Sequence, residues 1–127
     1  MKKKILFVDD EPDILNVSTF MLKEMGFMAF GALDGQKALA LARKKMPDLI
    51  FLDVYLPGIK GDEVASLLKK DKKTKNIPII LISADLITLG ARAGKCGAED
   101  FLGKPFEIRD ILSMIKKYTS KKPRLKK

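Results

Sequence analysis

The chain has 127 residues, of which 46% are hydrophobic and 32% are charged, and its formal net charge is +9. This length and composition predict one globular domain and exclude a disordered polar chain. No apolar run approaches the roughly 18 residues of a membrane span, and the first lysines lead into a short strand and not into a signal peptide. We therefore expect a cytoplasmic protein without membrane contact.

The positive charge lies at the two ends of the chain. Lysines occupy residues 2–4, and residues 116–127 carry seven cations and no acid. Removing these ten cations leaves 15 cations against 16 acids in the rest of the chain. Because the body is nearly neutral, the charge distribution argues against nucleic-acid binding by this chain alone, and the terminal charges are typical of a solvated tail.

The chain contains one cysteine and no histidine. Cys96 cannot form an internal disulfide, and the ligands of a zinc cluster are missing. We expect Cys96 to be a small buried apolar residue. Any bound metal must be a hard ion on oxygen ligands.

The first part of the chain alternates between strand and helix. Short apolar runs predict strands at residues 5–8 and 27–30, and periodic apolar residues predict helices over residues 12–25 and 34–46. Pro12 suits the first turn of the first helix. The positions expected to face the core of these helices are Ile14, Leu15, Val17, Met21, Leu22, Met25, Ala38, Leu41 and Ala42.

The same alternation continues to the end of the chain. Apolar runs predict strands at residues 48–53, 77–82 and 100–103. The intervening helices have apolar faces, which consist of Val64, Leu67 and Leu68 and, in the last helix, Ile108, Ile111, Leu112 and Ile115. A weaker helix over residues 86–95 contains Gly90 and Gly94, so we expect it to be the most mobile helix.

Five strands that alternate with five helices predict an α/β fold, because parallel strands need helical crossovers. The expected architecture is a flavodoxin-like, doubly wound, five-stranded parallel sheet in the order 2-1-3-4-5, with the five helices on both faces. In this order the first and third strands are neighbours, and their carboxyl ends meet at one edge.

Charged side chains follow these two buried strands. Asp9 and Asp10 come after the first strand, and Asp53 ends the third, so three carboxylates should converge. Like charges so placed repel, and a hard divalent ion such as Mg²⁺ would relieve the repulsion. Lys104, after the fifth strand, would add one positive charge, and Ser83, after the fourth, a hydroxyl.

This set of residues resembles the receiver domain of response regulators in two-component signalling. The resemblance covers about residues 3–119 in the right order and spacing, and any one member of the set would be a weak signal alone. It implies a receiver domain over residues 1–119, followed at 120–127 by a basic tail or the start of a linker. A receiver is a signalling switch and not an enzyme with a metabolic substrate, although it catalyses its own Mg²⁺-dependent phosphorylation and dephosphorylation.

The resemblance also implies roles for individual residues. Asp53 would accept a phosphoryl group from a phosphohistidine on a sensor histidine kinase or a phosphotransfer protein. Asp10, Asp53 and the main-chain carbonyl of Tyr55 would bind Mg²⁺, with Asp9 acting through a bound water. Lys104 would pair with the phosphoryl oxygens.

The remaining roles concern signalling output. Ser83 would hydrogen-bond to the phosphoryl group, and the ring of Phe101 would move inward as Ser83 is drawn toward that group. The fifth strand and its flanking helices would then bind a downstream protein, from a monomer or a phosphorylation-dependent dimer. Tyr55 and Asp85 stand where family members vary and where the lifetime of the phosphorylated form is set, but the sequence leaves the direction of their effect open.

Several alternatives remain open. A flavodoxin-like cofactor carrier would need hydroxyls and main-chain donors in its first turn, where this chain has acids. A haloacid-dehalogenase-type phosphatase places an Asp-x-Asp pair on its first strand, and here the second position is Glu11. The chain could also be a docking module without phosphorylation, or the receiver portion of a larger DNA-binding transcriptional regulator. Each site residue also has a plain structural alternative, such as a helix-start acid for Asp10 or core packing for Phe101.

Overall fold

Five β-strands alternate with five α-helices in the computed structural model, which describes residues 2–120. The strands are β1 (Lys4–Val8), β2 (Met28–Ala32), β3 (Leu49–Asp53), β4 (Ile79–Ser83) and β5 (Asp100–Gly103). The helices are α1 (Pro12–Glu24), α2 (Gly35–Lys45), α3 (Gly61–Lys70), α4 (Leu86–Cys96) and α5 (Ile108–Thr119). The predicted basic tail, apart from Ser120, lies outside the described residues.

The strands form one parallel sheet in the order β2-β1-β3-β4-β5, which confirms the predicted topology. β1 lies between β2 and β3, and the register pairs Val8 with Leu52 and Asp53 with Ile82. The residues that follow β1, β3 and β4 therefore meet at one edge of the sheet.

Each face of the sheet packs against its own set of helices. One core combines alternate residues of the central strands, such as Leu6, Ile50 and Leu81, with residues of α2, α3 and α4. The other combines the intervening residues, such as Phe7 and Phe51, with residues of α1 and α5. Because both faces are covered, β3 and β4 are buried along their whole length.

Four of the five strands differ from the predictions by one or two residues at an end, and the starts of β2 and β4 have identifiable causes. β2 begins at Met28, because the Phe27 amide donates a hydrogen bond to the carbonyl of Leu22 and so belongs to the turn that ends α1. β4 begins at Ile79, because Ile77 bonds back to Thr74 in a turn. Apolar runs predict burial, but these hydrogen bonds decide where pairing with the sheet begins.

Three residues predicted to face the core are exposed instead: Val17, Met25 and Leu67. In α1 the buried positions are Leu15, Ser18 and Leu22, which recur at helical spacing, whereas Val17 lies on the other side of the helix. The prediction overlooked Ser18 because it is polar. The surface of α1 consequently carries exposed apolar side chains.

α4 is continuous from Leu86 to Cys96 despite its two glycines, and Cys96 is buried and free, as predicted. The greater mobility of α4 remains a prediction. Among the helices of residues 2–120, none has the length and apolar character needed to cross a membrane.

Gly61 offers a test of how tightly α3 packs on the end of β3. A Cβ atom at this position would overlap the main-chain carbonyl of Asp53. We expect Gly61→Ala to lower the free energy of unfolding by about 1–3 kcal/mol, because neither backbone can move away without strain. Urea unfolding followed by circular dichroism measures this change.

Gly94→Ala is the matched control, since a Cβ atom there would have no neighbour within 4 Å. In the interior of α4 it should raise the free energy of unfolding by up to about 1 kcal/mol. Equal effects of the two substitutions would contradict the packing described for Gly61.

Candidate functional site

Asp53 is a buried carboxylate at the end of a buried strand. It is the last residue of β3, and only 4% of its surface is exposed. The preceding residues of β3 are all apolar and lie in the two cores. Asp53 is therefore the one charged residue of β3, and it lies at the edge where β1, β3 and β4 end. A buried charge of this kind needs a partner.

Lys104 provides that partner. Its Nζ lies 2.7 Å from Asp53 Oδ2 and 3.0 Å from Asp9 Oδ2. The residue directly follows β5, and its peptide bond to Pro105 is cis. One ammonium group thus contacts carboxylates from two neighbouring strands.

The acids after β1 complete the cluster. Oxygens of Asp9, Asp10 and Asp53 all lie within 4.8 Å of one another. Asp9 is fully buried, and its Oδ1 accepts a hydrogen bond from the Glu11 amide at 2.9 Å. Its Oδ2 has no hydrogen-bond partner, although it is within ion-pair distance of Lys104. The distance from Lys104 Nζ to this oxygen would allow a hydrogen bond, but the angle between the two groups does not.

The electrostatics of the site follow from burial. Burial raises the pKa of Asp53 above its ordinary value, and the nearby Asp9 charge raises it further, while the hydrogen bond and charge of Lys104 oppose the rise. Burial lowers the pKa of Lys104, but its hydrogen bond to Asp53 and its close ion-pair contacts with Asp53 and Asp9 outweigh this effect and raise the pKa overall. Lys104 therefore stays protonated beside Asp53 at neutral pH.

The donor set fits a hard cation. When the three carboxylates are ionised, Lys104 offsets only one of their charges. Asp9 Oδ2 is buried without a hydrogen-bond partner, and it shares the ammonium group of Lys104 with Asp53. Carboxylate oxygens at this spacing are suited to Mg²⁺, which binds few carboxylates and keeps its waters. Asp9, Asp10 and Asp53 could thus hold the ion that the sequence predicted.

The two neighbouring loops hold site residues through main-chain amides. The Tyr55 amide donates to Asp53 Oδ1 at 3.2 Å. Ser83 ends β4 and is buried, and its Oγ accepts a hydrogen bond from the Asp85 amide at 3.0 Å. The structure thus brings Asp9, Asp10, Asp53 and Lys104 into one cluster, with Ser83 on the adjacent strand end.

Phe101 lies apart from this cluster. Its side chain is on the surface of β5, 46% exposed, with the ring next to Gly90 of α4. The register pairs it with Leu81, two residues before the strand position of Ser83. In this structure the ring therefore points outward.

Sequence reasoning missed a polar network at the rim of the site. The Tyr55 hydroxyl donates to Asp85 Oδ2 at 3.1 Å, and Arg92 contacts the same hydroxyl at 3.3 Å. Thr88 and Asp62 complete the network. The spacing of Asp85, Thr88 and Arg92 at i, i+3 and i+7 would have placed the N-cap residue Asp85 on the same side of α4 as Thr88 and Arg92. Only the fold, however, places Tyr55 opposite them.

A cleft of about 540 Å³ adjoins the site on its other side. Its walls include Lys104, Pro105 and Phe106, together with Ile14 and Val17 of α1. Lys104 thus borders an accessible and mostly apolar surface.

The acidic cluster lies between the ends of β1 and β3, where the strand order of this doubly wound sheet reverses. Folds of this kind bind their ligands at that point. A family model described as the response regulator receiver domain matches residues 5–116. The chain therefore belongs to the response regulator receiver family, a class of signalling domains, as the resemblance predicted.

Individual relatives agree with this assignment. The DNA-binding dual master transcriptional regulator RpaA of Synechocystis is 36% identical over 118 residues, which span 89% of this chain and 47% of that protein. The DNA-binding response regulator MtrA of Mycolicibacterium smegmatis is 33% identical over 117 residues, which span 91% of this chain and 50% of that protein. The chain thus spans about half the length of these curated relatives.

The fold also matches a solved structure. The chemotaxis protein CheY4 of Vibrio cholerae superposes with a TM-score of 0.87 at 28% identity, over 93% of this chain and 99% of that one. The similarity therefore covers most of both chains.

The ion pair between Lys104 and Asp53 can be tested by titration. Because Lys104 lowers the pKa of Asp53, we expect Lys104→Met to move that pKa upward from its already raised position. Carbon-detected NMR of the Asp53 carboxyl, in buffer freed of divalent ions, measures the change. Lys117→Met, which removes an exposed partner of Asp100, should leave the Asp53 pKa unchanged. An unchanged or lowered pKa in Lys104→Met would contradict this account.

Proposed function

We propose that this receiver domain accepts a phosphoryl group on Asp53 and acts as a phosphorylation-dependent switch. The observation that carries the proposal is the contact between Asp53 and Lys104, at 2.7 Å, inside a cluster of carboxylates. A carboxylate is a weak nucleophile, so transfer depends on alignment and on neutralisation of charge at the phosphoryl oxygens. Lys104 would contribute to this neutralisation, and the buried end of β3 would hold Asp53 in place for the transfer.

In the proposed reaction, an Asp53 oxygen forms a bond to phosphorus as the phosphorus–nitrogen bond of a donor phosphohistidine breaks. The histidine nitrogen keeps the electron pair of that bond. Lys104 then pairs with the phosphoryl oxygens instead of with Asp53 alone. The site would also return the group to water, which makes the phosphorylated state transient.

Asp10, Asp53 and the main-chain carbonyl of Tyr55 would hold Mg²⁺, and Asp9 would act through a bound water. The ion would neutralise charge on the phosphoryl oxygens. Asp9 Oδ2 supports this assignment, because it is buried and, although it forms an ion pair with Lys104, has no hydrogen-bond donor.

Ser83 and Phe101 are the proposed switch residues. Ser83 would exchange its hydrogen bond with the Asp85 amide for one to the phosphoryl group, and the exposed ring of Phe101 would turn inward. This change alters the surface formed by β5 and its neighbouring helices, which would bind a downstream protein. Whether the phosphorylated chain acts as a monomer or as a dimer stays open, and its cytoplasmic location remains a prediction.

The proposed donor is a sensor histidine kinase or a phosphotransfer protein. Support comes from the apolar cleft beside Lys104 and from the exposed α1 side chains of Val17 and Phe20, which are 58% and 63% exposed. An apolar surface next to the phosphoacceptor suits docking of a protein that presents its phosphohistidine there.

A second candidate is that this chain is the receiver portion of a larger DNA-binding regulator. The descriptions of RpaA and MtrA as DNA-binding proteins, and the half of each that this chain spans, favour it. The two candidates share the chemistry at Asp53 and differ only in output. The domain limits 1–119, with a tail or linker at 120–127, remain a prediction, and the mass of the protein isolated from its natural cells tests them.

Phosphorylation at Asp53 can be tested directly. We expect the purified protein to gain one phosphoryl group, by intact mass, when it is incubated with Mg²⁺ and acetyl phosphate or a cognate kinase. Asp53→Asn should gain none, because the amide lacks the nucleophilic oxygen pair. Asp48→Asn is the matched control, since Asp48 precedes the same strand at its opposite end. An undiminished adduct in Asp53→Asn, or no adduct on the unmodified chain with any donor, would sink the proposal.

The metal site has its own test. Mg²⁺ that binds the folded state should raise the midpoint of thermal unfolding as its concentration increases. We expect this increase to be lost or strongly reduced in Asp10→Asn, which removes an exposed ligand without opening the core. Asp13→Asn, which changes an acid of α1 outside the cluster, should retain the increase. Equal responses in the two variants would place the ion elsewhere.

A further inference from the structure

Arg92 lies on α4, outside the proposed phosphoryl site, but it contacts residues on both sides of the rim. Its Nη2 donates a hydrogen bond to the Tyr55 hydroxyl at 3.3 Å, and its Nε donates to Thr88 Oγ1 at 3.2 Å. Its Nη1 donates to Asp62 Oδ2 on α3 at 2.8 Å. A planar guanidinium that makes three directed bonds is held in one orientation.

Tyr55 is held by this guanidinium at its edge and at its face. The guanidinium carbon lies 5.4 Å from the centre of the ring, within the range of a cation–π contact. The Tyr55 hydroxyl in turn donates to Asp85 Oδ2, which also accepts a hydrogen bond from Thr88 at 2.8 Å. We call these residues the rim clamp: Tyr55, Asp62, Asp85, Thr88 and Arg92.

The rim clamp reaches the proposed site through two main-chain amides. Tyr55 donates its amide to Asp53, and Asp85 donates its amide to Ser83. The loop after β3 and the loop after β4 are therefore joined at the rim by side chains and fixed to the site by backbone. The Tyr55 ring bridges the gap between the two loops.

We propose that Arg92 is a positioning residue that holds the Tyr55 ring across the rim and so slows hydrolysis of a phosphoryl group on Asp53. The inference rests on the proposed function, since it concerns the lifetime of that group. In hydrolysis a water oxygen forms a bond to phosphorus as the bond from phosphorus to the Asp53 oxygen breaks. The carboxylate is regenerated, and both protons of the water leave on inorganic phosphate, which releases one to solvent according to pH.

A fixed ring restricts the path of water to phosphorus, whereas a ring released from Arg92 leaves that path open for part of the time. The expected change in the hydrolysis rate follows from the solvent exposure of the Arg92 and Asp62 side chains. The side chains of Arg92 and Asp62 are 31% and 24% exposed, so solvent screens their ion pair and the clamp is of modest strength. Loss of a few such contacts should change a rate by roughly three- to tenfold.

The test compares decay of the phosphorylated form among variants. Each protein is phosphorylated with acetyl phosphate and Mg²⁺ and freed of donor, and loss of the adduct is followed by intact mass. We expect the decay rate constant of Arg92→Ala to exceed that of the unmodified chain by roughly three- to tenfold, with Arg92→Lys in between because it keeps the charge but loses the planar fork. Arg43→Ala is the matched control, since it removes a surface ion pair with Asp71, and neither residue belongs to the rim clamp.

Two further measurements separate positioning from a general structural role. In a Tyr55→Ala background, Arg92→Ala should add no further acceleration, because the ring through which Arg92 acts is gone. Thermal unfolding of every variant shows whether the fold itself is weakened; a purely structural role would lower the midpoint and leave decay unchanged.

The outcomes are distinguishable. An adduct that decays equally fast, or more slowly, in Arg92→Ala overturns the inference and leaves the proposed function intact, as does an undiminished effect of Arg92→Ala without the Tyr55 ring. Failure of the unmodified chain to take up any phosphoryl group overturns both.

Discussion

The burial of Asp53 is the constraint on which the site depends. A carboxylate that is 4% exposed cannot keep its charge without a cation nearby, and the chain supplies Lys104 from a strand that lies two positions away in the sheet. The pairing is only partial compensation, because the same ammonium group also contacts Asp9. The cluster therefore keeps an excess of negative charge. Such an excess attracts a cation, and through that cation a phosphate can approach.

The sheet order makes this arrangement possible. Because β1 lies next to β3, acids that are separated by more than 40 residues in sequence meet at one edge. Because β3 and β4 are buried on both faces, their ends cannot shift without disturbing the two cores. Close packing of Gly61 on the Asp53 carbonyl fixes the same edge from the side of α3. The stability of the fold and the geometry of the site thus have a common origin.

Most of this could be predicted from the sequence, and the failures have physical reasons. Alternating apolar runs and helical patterns predicted the strands and helices, since burial decides these features. The strand order, and with it the convergence of the acids, was taken from the known order of doubly wound folds. Val17 and Leu67 were wrongly assigned to the core because an apolar residue near a periodic face is not always on it. The contacts of Arg92 with Tyr55 could not be predicted, because they join residues 37 positions apart through side-chain orientation alone.

The rim clamp connects Ser83 with α4 through Asp85. The Asp85 amide holds Ser83, while the Asp85 side chain holds Tyr55 and Thr88. Movement of Ser83 toward Asp53 would release that amide, and the side-chain contacts of Asp85 would then have to rearrange or pull α4 with them. Since α4 also packs Gly90 against the exposed Phe101 ring, the same helix borders both the rim and the surface of β5. The proposed movement of Ser83 would therefore be able to affect contacts on both sides of α4.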